Sequence, residues 1–197
     1  MEKLPWVACL TKEEIDEFYT IKGMTDKEIA SVAGVHRTAI VKLRTKHGIK
    51  TRDSTGKKAE RIAISKLRSL GFKVIDMNVE NKLSSFDLLI NDNVRVDIKS
   101  AQICSDFRHL FTLTEKRSNG NIVSPNRITF DSGRTRKLFR NTCDILLLVG
   151  LSGKETVFYL IPSSEINDKV QTIAIPSLYV NRYRVYENRW DFLMEKI

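Results

Sequence analysis

The stretch 86–101, FDLLINDNVRVDIKSA, constrains the fold more than any other part of the chain. Two apolar runs flank Asn91-Asp92-Asn93, residue types that tolerate the backbone of a tight turn, so the stretch reads as a β-hairpin. In its second strand Val94, Val96 and Ile98 point to one face and Arg95, Asp97 and Lys99 to the other. Asp97 and Lys99 are two residues apart and project from the same face, separated by about 6.5–7 Å along the strand. Asp87 lies in the partner strand inside an apolar run, where a carboxylate is costly unless it binds something.

The flanking sequence supplies a sheet for this hairpin and helices to cover it. Residues 57–70, KKAERIAISKLRSL, carry Ala59, Ile62, Ala63, Leu67 and Leu70 at helical spacing, and Gly71 closes the helix. Glu60 on that helix is a further carboxylate candidate. FKVI at 72–75 and HLFTLTEK at 109–116 read as strands, and CDILLLVGL at 143–151 as a buried apolar one. TVFYLIPSSEI at 156–166 follows as strand, proline and helix start. Arg127, Arg134, Arg136, Lys137 and Arg140 precede the apolar strand, around Gly133. They read either as phosphate contacts on a loop and helix beside the site or as an exposed helix face. His109 and Glu115 are candidates for substrate contact or for plain strand-surface positions. Near the C-terminus Arg182, Arg184 and Arg189 interleave with Tyr179, Tyr183, Tyr186 and Trp190, as expected of a final strand and helix that pack aromatics inward; the alternative is a DNA contact.

The first fifty residues differ in kind. Thr11 followed by Glu14, and Thr25 followed by Glu28, have the spacing of capping boxes at two helix starts. Gly23, Gly34 and Gly48 end three successive helices, the third running over 36–47 with His36 as its cap. From Gly34 to Lys58 there are eight basic residues against one acid, Asp53. The segment TDKEIASVAGVHRTAIVKLRTKHGI resembles a helix-turn-helix of the three-helix kind. That resemblance implies that Arg37, Thr38, Lys42, Arg44, Lys46, Lys50 and Arg52 contact DNA; the alternative is a solvated basic face. The polar stretch 51–56 reads as a linker. The expected domains are 1–52, a DNA-reading module, and 53–197.

A helix bearing Glu60, then a hairpin bearing Asp87 and the triplet Asp97-Ile98-Lys99, resembles the core of the PD-(D/E)XK nuclease superfamily. The element order looks like its phage, homing-endonuclease and resolvase-like members. The proline that often precedes the first aspartate is replaced here by Phe86. The resemblance implies an α/β fold with a restriction-endonuclease-like mixed β-sheet flanked by helices. It also implies Mg²⁺, with Mn²⁺ as a substitute, held by Asp87, Asp97 and the Ile98 carbonyl. Lys99 would orient the attacking water, Glu60 would bind metal through water or assist a second ion, and the products would carry 5′-phosphate and 3′-hydroxyl ends.

Composition narrows the alternatives. A net charge of +9 suits a polyanionic partner, since Lys and Arg displace the condensed counterions of nucleic acid. Cys9, Cys104 and Cys143 lie far apart with no Cys-x-x-Cys spacing, against a disulfide scaffold or structural zinc. No apolar run approaches the roughly 20 residues of a membrane helix, and no signal-peptide stretch opens the chain, so a cytoplasmic protein is expected. The expected partner is double-stranded DNA, bound by a homodimer if both strands are cut, with no small-molecule substrate. A rival reading keeps DNA binding but makes the α/β domain a degenerate dimerisation module of a non-catalytic regulator. Junction resolution and an RNA substrate also stay open.

Overall fold

The computed structural model describes residues 10–81, 83–116, 124–153, 155–177 and 179–194. Packing divides the chain into two compact units, Met1–Asp53 and Ser54–Ile197.

The first unit is helical. Helix α1 (Lys12–Asp16) continues as a π-helical turn through Glu17–Ile21, followed by α2 (Asp26–Val32) and α3 (Arg37–Lys46). Both capping boxes form. The Thr11 and Thr25 hydroxyls accept from the Glu14 and Glu28 amides, and each glutamate accepts in return from its threonine amide. The His36 side chain caps α3, accepting from the Thr38 amide. Gly34, at φ 63°, makes the left-handed turn between α2 and α3 that a side chain would strain. Ile15, Tyr19, Ile29, Ala30 and Ile40 are buried between the three helices.

Arg44 corrects the expectation for this unit. It is only 4% exposed, and its guanidinium donates to both Asp26 carboxylate oxygens, to the Ile49 carbonyl and to Thr51 Oγ1. Enclosed and paired in this way, Arg44 does not face outward as an amphipathic helix pattern suggests. Arg52 is exposed, yet its guanidinium is engaged by the Gly23 and Met24 carbonyls at 2.6 and 2.9 Å. Both guanidinium carbons stand 4.4 Å from the centre of the Tyr19 ring, a cation–π clamp that ties the unit's C-terminal end to its first helix. Arg37, Thr38, Lys42, Lys46 and Lys50 remain on the exposed surface.

The second unit is mixed α/β. Helix α4 (Thr55–Ser69) starts at the Ser54 cap, so Gly56 lies within its first turn rather than before it. Then come β1 (Val74–Asp76), α5 (Met77–Glu80), β2 (Leu88–Ile90), β3 (Val94–Gln102), β4 (Arg108–Thr112), β5 (Glu115–Lys116), β6 (Arg127–Thr129), β7 (Arg134–Lys137) and α6 (Phe139–Thr142). The chain continues through β8 (Ile145–Ser152), β9 (Glu155–Pro162) and β10 (Thr172–Pro176), with 3-10 turns at Ser163–Glu165, Arg184–Tyr186 and Trp190–Leu193. Five strands form one sheet in the order β1-β2-β3-β8-β9, antiparallel except for the parallel pair β3–β8.

Strand β8 is buried on both faces, which explains its unbroken apolar sequence. Ile145, Leu147, Val149 and Leu151 pack with Ala59, Ala63 and Leu67 of α4. Leu146 and Leu148 pack on the other side with Phe111, Phe139, Tyr159 and Ile173. The Arg95 amide and guanidinium both donate to the Asp144 carboxylate just before β8, which fixes the register of the parallel pair. Gly150 is required by its neighbours: a Cβ there would lie 2.7 Å from Val157 and 2.9 Å from the His109 ring.

Two smaller sheets, β10–β4 and β5-β7-β6, complete the unit. Strands β6 and β7 occupy the region read from sequence as loop and helix, and β10 was not expected. Of the C-terminal aromatics, Tyr186 and Trp190 sit on 3-10 turns and Tyr179 and Tyr183 on irregular chain, rather than on a strand and helix; Tyr183 is buried and Tyr179 is 71% exposed. Among the described residues no helix is long and apolar enough to cross a membrane.

Candidate active site

Strand β3 brings the chemistry together because its alternation sends Val94, Val96 and Ile98 into the α4 side of the core and Asp97 and Lys99 to the other side. Asp97 is completely buried. Lys99 Nζ approaches its Oδ1 at 2.9 Å, an ion pair without a well-directed hydrogen bond, so that oxygen has no hydrogen-bond partner among the described residues. Asp87, just ahead of β2, turns back so that its Oδ2 accepts from the Ile98 amide at 2.7 Å. The hairpin thus holds the second carboxylate against the backbone between Asp97 and Lys99.

A second lysine completes the cluster. Lys137, on β7 and 40 residues further along the chain, donates to Asp97 Oδ2 at 2.5 Å. Its neighbour Arg136 is wholly buried, donates to the Asn167 and Val170 carbonyls, and packs 5.2 Å from the centre of the Phe139 ring. Sequence reading had placed Lys137 in a general basic stretch. Its tie to Asp97 gave no local signal beyond that charge.

The electrostatics follow from burial and from like charges held close. Burial pushes the Asp87 carboxyl above the usual carboxylate range, with Asp97 adding to the rise, while the Ile98 amide and the two lysines oppose it. Glu60 is half-buried on α4, and burial raises its carboxyl too, reinforced by Asp87 and Asp76. Burial alone would lower the Lys99 ammonium, but Asp97, Asp87 and Glu115 outweigh it and raise it. The site therefore favours protons or cations over bare negative charge.

Other candidates stand apart. His109 is buried, with Nε2 3.0 Å from Ser152 Oγ, and burial lowers its pKa. Glu115 is exposed and paired with Arg127. Arg140 pairs with Asp168, and Arg182, Arg184 and Arg189 engage Tyr183, Glu187 and Asp191. Cys143 is a free buried thiol whose pKa burial pushes up to about 12, and Cys104 is also free; Cys9 lies outside the described residues.

Which cation the cluster fits can be read from its donors. No group of three or more His, Cys, Asp or Glu is gathered as a metal cage among the described residues. That does not fit zinc, which asks for three or four protein ligands including nitrogen or sulfur. Two hard carboxylates held close together fit Mg²⁺, which keeps most of its water and takes one or two carboxylates.

No family model matches the sequence, and no curated protein matches it. Among solved structures the chain is similar in fold to a bacterial homing endonuclease, I-Ssp6803I, with a TM-score of 0.53 at 17% identity. The likeness covers 71% of this chain and 90% of that one.

Proposed function

We propose that the chain is a Mg²⁺-dependent DNA endonuclease of the PD-(D/E)XK kind, with its helical first unit acting as a helix-turn-helix DNA reader. One observation carries the reading: Asp97 and Lys99 on β3 and Asp87 just ahead of β2 converge, with Asp97 fully buried between two ammoniums and Asp87 held on the Ile98 amide. Two carboxylates held this close in a buried site repel each other, a cost that a bound cation would relieve. The fold likeness to a homing endonuclease supports the same reading.

In this reading Asp87, Asp97 and the Ile98 carbonyl hold Mg²⁺, with Mn²⁺ as a substitute, and Glu60 reaches it through water. The bound ion lowers the pKa of a water and neutralises charge on the phosphate. Lys99 orients the attacking water from the same strand as Asp97. The Ile98 amide keeps Asp87 fixed, so little rearrangement is needed when charge builds on the phosphorane. The exposed Arg37, Thr38, Lys42, Lys46 and Lys50 supply phosphate and base contacts, without Arg44. One site per chain makes a two-fold dimer on a pseudo-palindromic target the simplest way to cut both strands.

The test uses full-length wild type and Lys99→Ala on supercoiled plasmid, with Mg²⁺ and then with EDTA, while DNA binding is followed in the same samples. Wild type should cut only with metal, and the variant should bind normally but cut about 10²–10³-fold more slowly. Discrete fragments would favour a sequence-specific enzyme, and activity confined to four-way junctions a resolvase. Binding by both proteins with cutting by neither would overturn catalysis in favour of a DNA-binding regulator.

A further inference from the structure

Asp97 has more counter-charge than a buried carboxylate needs. Lys99 stands at Oδ1 and Lys137 at Oδ2, each lysine side chain about one-fifth exposed while Asp97 is not exposed at all. The two ammoniums differ in origin. Lys99 shares a strand with Asp97, whereas Lys137 arrives from the separate β5-β7-β6 sheet. Neither behaves like the chain's structural cations. Arg44 and Arg136 are sealed in and anchored on backbone carbonyls, while Lys137 has Asp97 as its partner and keeps solvent access. A lysine ammonium is a compact, strongly hydrated charge on a flexible stem, suited to changing partners.

Resting on the nuclease reading above, we infer that Lys137 is a displaceable counter-ion of Asp97. It neutralises the carboxylate in the metal-free protein and turns onto a non-bridging oxygen of the scissile phosphate when a divalent cation takes Asp97 as a ligand. Counting only the groups that would touch the cation or the phosphate directly, Asp87 and Asp97 balance Lys99 and Lys137; Glu60, one water away, stands outside that count. A divalent cation added to that balance leaves it doubly positive. That matches the doubly negative phosphorane formed when hydroxide adds to a phosphodiester; without Lys137 one negative charge would be uncompensated. The same residue thus keeps the empty site from repelling itself and later supplies the charge that the transition state requires.

The experiment measures Mn²⁺ binding to full-length protein without DNA, by the loss of the free-ion electron paramagnetic resonance signal. Wild type, Lys137→Met and Lys137→Arg are compared, with circular dichroism as the check on folding. Removing the competing ammonium should tighten Mn²⁺ binding by Lys137→Met about tenfold, while Lys137→Arg should bind like wild type. Single-turnover cleavage by Lys137→Met at saturating metal should still fall about 10²-fold. Mn²⁺ affinity that is unchanged or weaker in folded Lys137→Met would make Lys137 a fixed structural partner and overturn the inference. Unchanged cleavage at saturating metal would remove its phosphate role. If Lys137→Met does not fold, Lys137→Arg decides: Mn²⁺ binding like wild type supports the inference, and several-fold weaker binding overturns it. Wild type that neither binds Mn²⁺ nor cuts DNA would instead bring down the nuclease reading itself.

Discussion

The two units treat buried charge in opposite ways. In the first, the Arg44–Asp26 pair is closed: each carboxylate oxygen has a guanidinium donor, and Nη1 donates to the Ile49 carbonyl and the Thr51 hydroxyl. In the second, Asp97 is more deeply buried but left open, with two part-exposed ammoniums beside it, an oxygen without a directed donor and a second carboxylate nearby. A closed pair fixes geometry and resists exchange. An open cluster keeps free energy in hand for a ligand. Between these two carboxylates, the kind of counter-charge separates them better than burial does: a guanidinium anchored elsewhere for Asp26, two part-exposed ammoniums for Asp97.

The sharpest way to break this contrast is Arg44→Ala. It strands Asp26 with its charge, and breaking such a buried pair costs about 3–5 kcal/mol, so the first unit should melt early or unfold. A first unit that melts like wild type would mean that the closed pair is not structural. Asp87→Asn should do the reverse in the second unit. The neutral amide keeps an acceptor for the Ile98 amide and relieves a carboxylate whose ionised form burial disfavours. Thermal stability at neutral pH should rise by about 0.5–2 kcal/mol while metal-dependent cleavage is lost. A fall in stability instead would place Asp87 with Arg44 as scaffold.

The smallest effect concerns His109, a buried titratable group of the second unit that lies outside the carboxylate cluster. Its pKa is lowered from 6.5 by burial, and Nδ1 has no hydrogen-bond partner among the described residues. The folded state therefore binds a proton less readily than the unfolded chain. Its contribution to stability is complete above 6.5 and is lost as pH falls through the lower folded value. The urea midpoint should drop on mild acidification, and His109→Gln should flatten that part of the profile. An equal slope in both proteins would show that other groups set it.

Much of this was legible from local pattern. Period-two alternation placed Asp97 and Lys99 on one face of a strand, and the turn Asn91-Asp92-Asn93 forms with Asn91 and Asp92 at positive φ. Both capping boxes depend on residues three apart, the range over which sequence reads directly. What escaped was long-range. Arg44 looks like any exposed base on an amphipathic helix until Asp26, 18 residues earlier, folds against it. Strand β7, Arg-Thr-Arg-Lys, has no apolar alternation to announce it, because what it buries is a guanidinium. Lys137 is tied to Asp97 only through that strand.

The anchoring of Arg136 has a consequence for reach. Strand β7 cannot slide without drawing a buried guanidinium away from two backbone carbonyls, and Lys137 follows one residue later. The lysine is a short tether with a fixed root, and its charged tip travels only as far as its own stem can swing. The distance over which positive charge can be moved in this site is thus written into the backbone. A change at Arg136 would alter the arc of that swing and leave the charge at its tip untouched.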